Sequence, residues 1–301
     1  MRKFITLRSP AKINLFLEVL GKRSDGYHEI VTVMQEVGLF DTLQITEQPA
    51  GITVRTDHAD LPTDRRNLVY QAAALLKKRY KIKQGVLINI SKNIPLGGGL
   101  GGGSSNAAYT LKGLNQLWRL GLKNEELYPL AATLGSDVPF FISGGLALCK
   151  GRGEIVFPLP YCLSFTCLLV YPGFPVSTRK IYGNLPNFPL TKPRRDVSIF
   201  TKNLLGKIPT LVFNRLEETV LRCYPAVRRL RANLVRTGKL VTVQVSGSGA
   251  SVFGILNPQM TPLLDTVRKD GSFNIKGGDG LIRQVGIPAG GKAYFVKPVA
   301  P

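Results

Sequence analysis

The period of hydrophobic and polar positions changes several times along the chain, and each change predicts an element. In Lys12-Ile13-Asn14-Leu15-Phe16-Leu17-Glu18-Val19 the two classes alternate well enough for a strand, and Gly21–Tyr27 is a charged, glycine-containing turn. Val31–Val33, Thr42–Glu47 and Ile52–Arg55 read as further strands. Leu68, Ala72, Leu75 and Leu76 then share one helical face. They predict a helix over Asn67–Tyr80, capped by Asp64, with Lys77-Lys78-Arg79 at the end where the dipole favours cations. Gly85–Ile90 is a strand, a glycine run follows, and Leu111, Leu114 and Trp118 form the apolar stripe of a helix from Ser104 to Leu120. Glu125–Leu134 is a short helix closed by Gly135, and Val138–Cys149 is apolar with a break at Gly144-Gly145.

The expected linker is Lys150–Pro160, where composition shifts to glycine, proline and charge. Beyond it, Leu163–Tyr171 reads as a buried strand, Pro186–Pro193 as a proline-rich loop, and Leu216–Val235 as a helix that Pro225 must split. Leu240–Val245, the turn Ser246–Ser251 and Val252–Leu256 make a strand–loop–strand. Thr261 and Pro262 open a predicted helix to Lys269, and Ala293–Val296 is a last strand. No segment repeats. Strand runs with interspersed helices predict an α+β chain of two domains, 1–155 and 156–301, which 301 residues are enough to build.

Charge adds a second clue. The chain carries 40 Lys and Arg against 19 Asp and Glu, a formal +21, and the excess is concentrated in residues 179–239. There Lys192, Arg194, Arg195, Lys202, Lys207, Arg228, Arg229 and Arg231 meet three acids. A field of this sign attracts nucleic acid, anionic membrane or phosphorylated small molecules, and it is equally the property of solvated helix faces. The uncharged stretch Ile155–Thr178 is cut by Pro158, Pro160, Pro172 and Pro175 to a strand-sized apolar centre, so no membrane span is expected. Met1–Ser9 is too short and too charged for a signal peptide. Cys149, Cys162, Cys167 and Cys223 form no CxxC pair, and with His28 and His58 alone no zinc site assembles by spacing. Buried thiols of a cytoplasmic protein are the expectation.

The strongest local feature is Pro95-Leu96-Gly97-Gly98-Gly99-Leu100-Gly101-Gly102-Gly103-Ser104-Ser105, set between a strand and a helix. So much glycine is costly in conformational entropy unless the backbone must approach something closely. The run ends where free amides and the helix dipole favour an anion, so phosphate binding is the direct inference. No Gly-Lys-[Ser/Thr] follows, and the register is not that of a dinucleotide turn. Such a loop needs a cation from elsewhere. Lys12, inside an apolar strand, could supply it or could sit on an exposed edge; Asp137, just ahead of an apolar run, could be a base or a turn cap. Taken with the loop, the pair fits phosphoryl transfer to a hydroxyl.

Three segments resemble the motifs of the GHMP kinase superfamily: Pro10-Ala11-Lys12-Ile13-Asn14-Leu15, the Pro95–Ala108 loop, and Val245-Ser246-Gly247-Ser248-Gly249-Ala250-Ser251. The resemblance covers residues 8 to 256, thinning in 179–210. Lys22-Arg23-Ser24-Asp25-Gly26-Tyr27-His28-Glu29 is similar to the segment that reads cytidine in the branch acting on a cytidine-diphosphate-linked methylerythritol, in non-mevalonate isoprenoid synthesis. The resemblance implies an N-terminal α/β domain and a ferredoxin-like C-terminal one, with the site in the cleft between, and ATP with Mg2+ as cofactors. It assigns Asp137 to the 2-hydroxyl proton, Lys12 to the transferred phosphoryl and Asn14 to the polyol. Tyr27 would stack on the base, His28 would read its edge, and Tyr182 would close the other side, with Thr178 beside it. The loop from Pro95 through Gly97, Gly98, Gly99, Gly101, Gly102, Gly103, Ser104 and Ser105 would cradle ATP, and Asn67 and Lys92 would touch adenine. Gly247, Ser248 and Gly249 would close over the transfer site.

No acid on the helix after the loop offers a magnesium ligand, which leaves the metal to nucleotide, water and Ser105. The basic, glycine-rich tail Ser272–Pro301 matches nothing in the family and either adds a strand to one domain or is an extension. A small-molecule cytidine-diphosphate substrate and a monomer or weak homodimer are expected. Other small-alcohol kinases of the homoserine or mevalonate type lack the Asp25-Gly26-Tyr27-His28 segment. An RNA-binding role has only the charge behind it, since Tyr224 is the lone aromatic of the arginine-rich 222–236 helix.

Overall fold

A computed structural model describes residues 3–161, 163–186, 211–257, 264–267, 273–275 and 285–300 of the chain. Cys162, most of the proline-rich loop, the basic residues Lys192, Arg194, Arg195, Lys202 and Lys207, the expected cap pair Thr261 and Pro262, and Lys276 and Arg283 of the tail lie outside the described residues.

The described chain divides into two compact units that interleave in sequence. One holds 1–11, 40–96 and 101–144; the other holds 12–39, 97–100 and 145–301. These are not the halves 1–155 and 156–301 read from composition. Strands β1 (Phe4–Lys22) and β2 (His28–Gln48) each run through both units, and composition marks a linker but not a strand that leaves one core for another. β1 alternates in exposure only over its first residues and is buried on both faces from Ser9 to Gly21. The alternation of residue type read over Lys12–Val19 therefore does not correspond to an exposed and a covered face, because both faces are covered there.

In the first unit, β3 (Ile52–Thr56) runs parallel to β4 (Gly85–Ser91), and β4 pairs antiparallel with Thr42–Gln48 of β2. Helices α1 (Leu68–Arg79), α2 (Gly102–Leu117), α3 (Asn124–Leu134) and α4 (Phe140–Ser143) pack on one another. Their core is Val69, Ala72, Ala73, Leu76, Leu111, Leu114, Phe140 and Phe141. Gly113 lets α2 lie close on the strands, since a Cβ there would stand 2.7–3.0 Å from the side chains of Ile45, Leu7 and Ile5. The cap of α1 is Asn67 rather than Asp64: Asn67 Oδ1 accepts from the Val69 amide at 2.9 Å. Asp64 is held one turn early by the Arg66 guanidinium, at 2.9 Å.

In the second unit, β13 (Lys292–Val296), β7 (Cys167–Tyr171), β10 (Val252–Leu256) and β9 (Leu240–Val245) form an antiparallel sheet in that order. Helices α6 (Glu217–Cys223) and α7 (Pro225–Arg236), divided by Tyr224 where Pro225 predicted a split, bury Val220, Val227, Leu230 and Leu234 in a core with Leu168, Val170, Val245 and Val252. α5 (Thr178–Gly183) follows β7, starting from the Ser177 cap. The N-terminal part of β2 pairs with β5 (Leu146–Lys150), β5 pairs with β6 (Ile155–Pro158), and the two-residue β8 (Phe213–Asn214) lies parallel to β1.

The helix predicted over Pro262–Lys269 is instead strand β11 (Leu264–Val267), paired antiparallel with β12 (Phe273–Ile275). The tail adds a strand, β13, to the second unit and then lies along β2: Gly38 donates to the Lys297 carbonyl, and Val299 to that of Glu36, both at 2.9 Å. Cys149 and Cys167 are buried thiols outside any disulfide, and burial pushes the Cys167 thiol up; Cys223 is half-exposed, contrary to expectation. Among the described residues no helix is long and apolar enough to cross a membrane.

Candidate active site

The glycine loop is held by its carbonyls. Gly97 O accepts from Val176 N, Gly98 O from Ser251 N, Gly99 O from Ser246 Oγ, and Leu100 O from Lys12 N, all at 2.9–3.1 Å. Two glycines are required by close approach as well as by φ: a Cβ on Gly97 (φ +61) would stand 2.4 Å from Pro175 Cβ, and one on Gly99 (φ +74) 2.3 Å from Ser246 O. Gly103 differs: it is exposed, and a Cβ there would meet only Leu68 Cδ1, at 3.9 Å.

With the carbonyls committed to the second unit, the amides of Gly97 through Ser104 donate no hydrogen bond among the described residues. A row of free amides running into a helix N-terminus is an anion-binding arrangement. Ser105, in the first turn of α2, is fully buried, and its hydroxyl has no partner among the described residues. Both observations fit a nucleotide phosphate, which would supply the missing acceptors.

Lys12 is 4 % exposed, and its ammonium donates to Asn14 Oδ1 at 2.6 Å. Asn14 in turn donates to Thr32 Oγ1 at 2.8 Å, and Thr32 to the Phe16 carbonyl at 2.6 Å. This chain orients the lysine, and Thr32 was not anticipated because its partner sits on a different strand. Gly247 (φ +54) closes on the same spot: a Cβ there would lie 3.1 Å from Asn14 Oδ1 and 3.3 Å from Lys12 Nζ. The loop bearing Gly247 is fastened by Asn214, another residue with no signal in the sequence. Ser248 Oγ meets Thr178 Oγ1 at 2.8 Å, tying the third motif to the start of α5.

Of the expected base-binding residues, His28 and Tyr182 come together, with ring centroids 5.1 Å apart and a 36° tilt. Burial and the nearby Lys22 charge hold the His28 imidazole below its ordinary pKa, so it is neutral at pH 7 and can both donate and accept. Tyr27 is 51 % exposed and carries the Arg152 guanidinium 4.9 Å from its ring centroid. Arg152 was not foreseen, because it arrives from the turn after β5. The Tyr27–His28 segment is shaped by Asp25, which accepts from the Tyr27 amide, and by Arg23, which bridges Asp25 and Glu29.

Asp137 lies half-buried in the turn between α3 and α4, in the first unit, and does not cap α4, whose N-cap is Pro139. The two expected adenine contacts, Asn67 and Lys92, carry structural bonds within the first unit. Asn67 caps α1 and also donates to Pro62 O at 2.6 Å; the Lys92 ammonium is buried against Asp41, 2.6 Å away. Asp41 also accepts from the amides of Asn93 and Ile94, so this pair sets the entry to the glycine loop just ahead of Pro95. No group of three His, Cys, Asp or Glu that could hold a metal ion occurs among the described residues.

Residues 67–145 match the family described as GHMP kinases N terminal domain. A 4-diphosphocytidyl-2-C-methyl-D-erythritol kinase of Syntrophomonas wolfei subsp. wolfei is 44% identical over 261 residues, 85% of this chain and 90% of that protein. The chain belongs to the 4-diphosphocytidyl-2-C-methyl-D-erythritol kinase family. A kinase of the same name from Geobacillus kaustophilus is 44% identical over 256 residues, 84% of this chain and 88% of that protein. A crystal structure of 4-(cytidine 5'-diphospho)-2C-methyl-D-erythritol kinase superposes with a TM-score of 0.72 at 29% identity, covering 97% of this chain and 99% of that one. The chain is accordingly an ATP-dependent kinase with the α+β fold of the GHMP family.

Proposed function

We propose that this chain transfers the γ-phosphoryl of ATP to the 2-hydroxyl of 4-diphosphocytidyl-2-C-methyl-D-erythritol, giving the 2-phosphate and ADP. The observation that carries the reading is the glycine loop, whose four carbonyls from Gly97 to Leu100 are spent on the second unit and whose amides are left for an anion. Those amides bind the phosphates of ATP, and the α2 dipole adds to their field. Lys12, oriented by Asn14 and Thr32, stabilises the charge on the phosphoryl in transit, and Asn14 holds the polyol. Asp137 takes the proton of the 2-hydroxyl as its oxygen bonds to phosphorus and the bond to the ADP oxygen breaks. Mg2+, held by the nucleotide, water and the Ser105 hydroxyl, would neutralise phosphate charge.

His28 reads the cytosine edge and Tyr182 lies against the base; Tyr27, backed by Arg152, stacks on its other face. The thiols fit a reducing compartment, the cytoplasm, and the expected assembly is a monomer or weak homodimer. The test is ADP release with Mg-ATP and, separately, 4-diphosphocytidyl-2-C-methyl-D-erythritol, homoserine, mevalonate and no acceptor. Turnover on the cytidylated acceptor alone supports the reading; turnover on another alcohol alone ends it and removes the roles given to Tyr27, His28 and Tyr182.

A further inference from the structure

Asn214 stands outside all three family motifs, yet it is 4 % exposed and every hydrogen-bonding capacity of its amide but one lone pair is used. Its Nδ2 donates to the Val245 carbonyl at 2.9 Å and to the Gly247 carbonyl at 2.7 Å, and its Oδ1 accepts from the Leu216 amide at 2.9 Å. Two donors and an acceptor in this fork are what a carboxamide offers. A carboxylate would present acceptors to two carbonyls, and an aliphatic side chain would leave both carbonyls unpaired.

The backbone carrying Asn214 is itself pinned. β8 lies parallel to β1 in the register Leu17↔Asn214, Arg215 N donates to the Leu17 carbonyl at 2.8 Å, and the Arg215 guanidinium meets the buried Glu18 carboxylate at 3.3 Å. β1 is the strand that carries Lys12 and Asn14. Asn214 therefore reaches from the Lys12 strand to the third-motif loop. It holds Gly247 at the height where the Lys12 ammonium and Asn14 Oδ1 lie just beyond its Cα. From the same loop Ser246 and Ser251 grip Gly99 and Gly98.

We propose that Asn214 is a positioning residue for phosphoryl transfer: its carboxamide fixes the Val245–Ser251 loop against Lys12 and against the glycine loop. It touches neither substrate, and it acts through Gly247, Ser246 and Ser251. The inference rests on the kinase reading of the site only for the assay used. The hydrogen bonds of Asn214 run to Val245, Gly247 and Leu216, whereas the base end is a ring-on-ring contact of His28 with Tyr182, so loosening the loop separates turnover from acceptor binding.

The experiment is steady-state kinetics of Asn214→Asp and Asn214→Ser beside wild type, with folded fraction from near-UV circular dichroism and amide exchange over residues 245–251. Expected is a kcat loss of about 10- to 100-fold in Asn214→Asp, the scale of a misplacement of about 1 Å. The loss should be smaller in Asn214→Ser, which keeps one donor. KM for the cytidylated acceptor should stay within about 3-fold, and exchange in 245–251 should rise. Unchanged kcat per folded molecule, or a rise in KM at unchanged kcat, overturns the proposal. So does failure of both variants to fold, which would make Asn214 a residue of core stability. A wild type inactive on the cytidylated acceptor sinks the function reading alone, since the exchange of 245–251 still reports whether Asn214 holds the loop.

Discussion

The two ends of the site within the second unit are built on opposite plans. Around Lys12 the frame is a hydrogen-bonded one: a buried lysine held by Asn14, Asn14 by Thr32, the third motif by Asn214, and four successive carbonyls of the glycine loop by backbone or serine donors. Around His28 the contacts are rings and a guanidinium, and Tyr27 stands largely in solvent. Charge that develops during a reaction is stabilised by dipoles already in place, because reorienting them would add to the barrier. Recognition of a flat base tolerates a looser frame, since stacking needs area more than angle. Substitutions near Lys12 should therefore act on kcat, and those near His28 on acceptor KM.

The strongest challenge to that division is Asp137→Asn. Loss of the base should lower kcat by about 10³-fold while KM for ATP stays within about 3-fold, measured by coupled ADP assay. An undiminished kcat removes Asp137 from the reaction. Next in size is Gly99→Ala, which must fit a Cβ 2.3 Å from Ser246 O at φ +74. Thermal melts should show a loss of roughly 1–3 kcal/mol, with kcat down about 10²-fold as the third motif shifts.

At the other end, His28→Ala should raise KM for the cytidylated acceptor by about 10- to 100-fold, the cost of one lost base hydrogen bond, with ATP KM unmoved. The same residue sets a pH dependence. Its folded pKa is lowered by burial and by Lys22, so the neutral form persists at pH 7. Acceptor KM should rise only as pH falls through that lowered value, below the ordinary ~6.5, and should be flat above it. His28→Gln should abolish the rise.

The smallest effect tests what the site does not use. Arg228, Arg229 and Arg236 lie exposed on α7, opposite the buried Val227, Leu230 and Leu234. Replacing all three by Gln should change turnover by less than about 2-fold at ordinary ionic strength, as expected of a solvated face. A larger drop that grows at low salt would give this part of the +21 charge a part in gathering substrate.

What could be read from the sequence followed from local physics. The glycine run ahead of α2, the Pro225 split, and Leu111 and Leu114 of the α2 stripe depend on neighbours a few residues away, and these carry over to the structure. Local rules failed where two local options had similar energy. Asp64 and Asn67 could each cap α1, and the one that faced the Val69 amide did so. Leu264–Val267 could be helix or strand, and pairing with Phe273–Ile275 decided it.

Composition, periodicity and motif order thus determined the fold class, the family resemblance and the extent of the glycine loop, because glycine conformation and helix termini are properties of short segments. Only the tertiary structure decided which distant groups complete them. Thr32 reaches Asn14 across strands, Asn214 fastens Gly247 thirty-three residues away, and the C-terminal tail becomes the edge strand β13 and runs on to β2. A buried polar group must find its partner wherever the chain brings one, and the strands that bring these partners belong to a fold whose two units share the same chain in alternation.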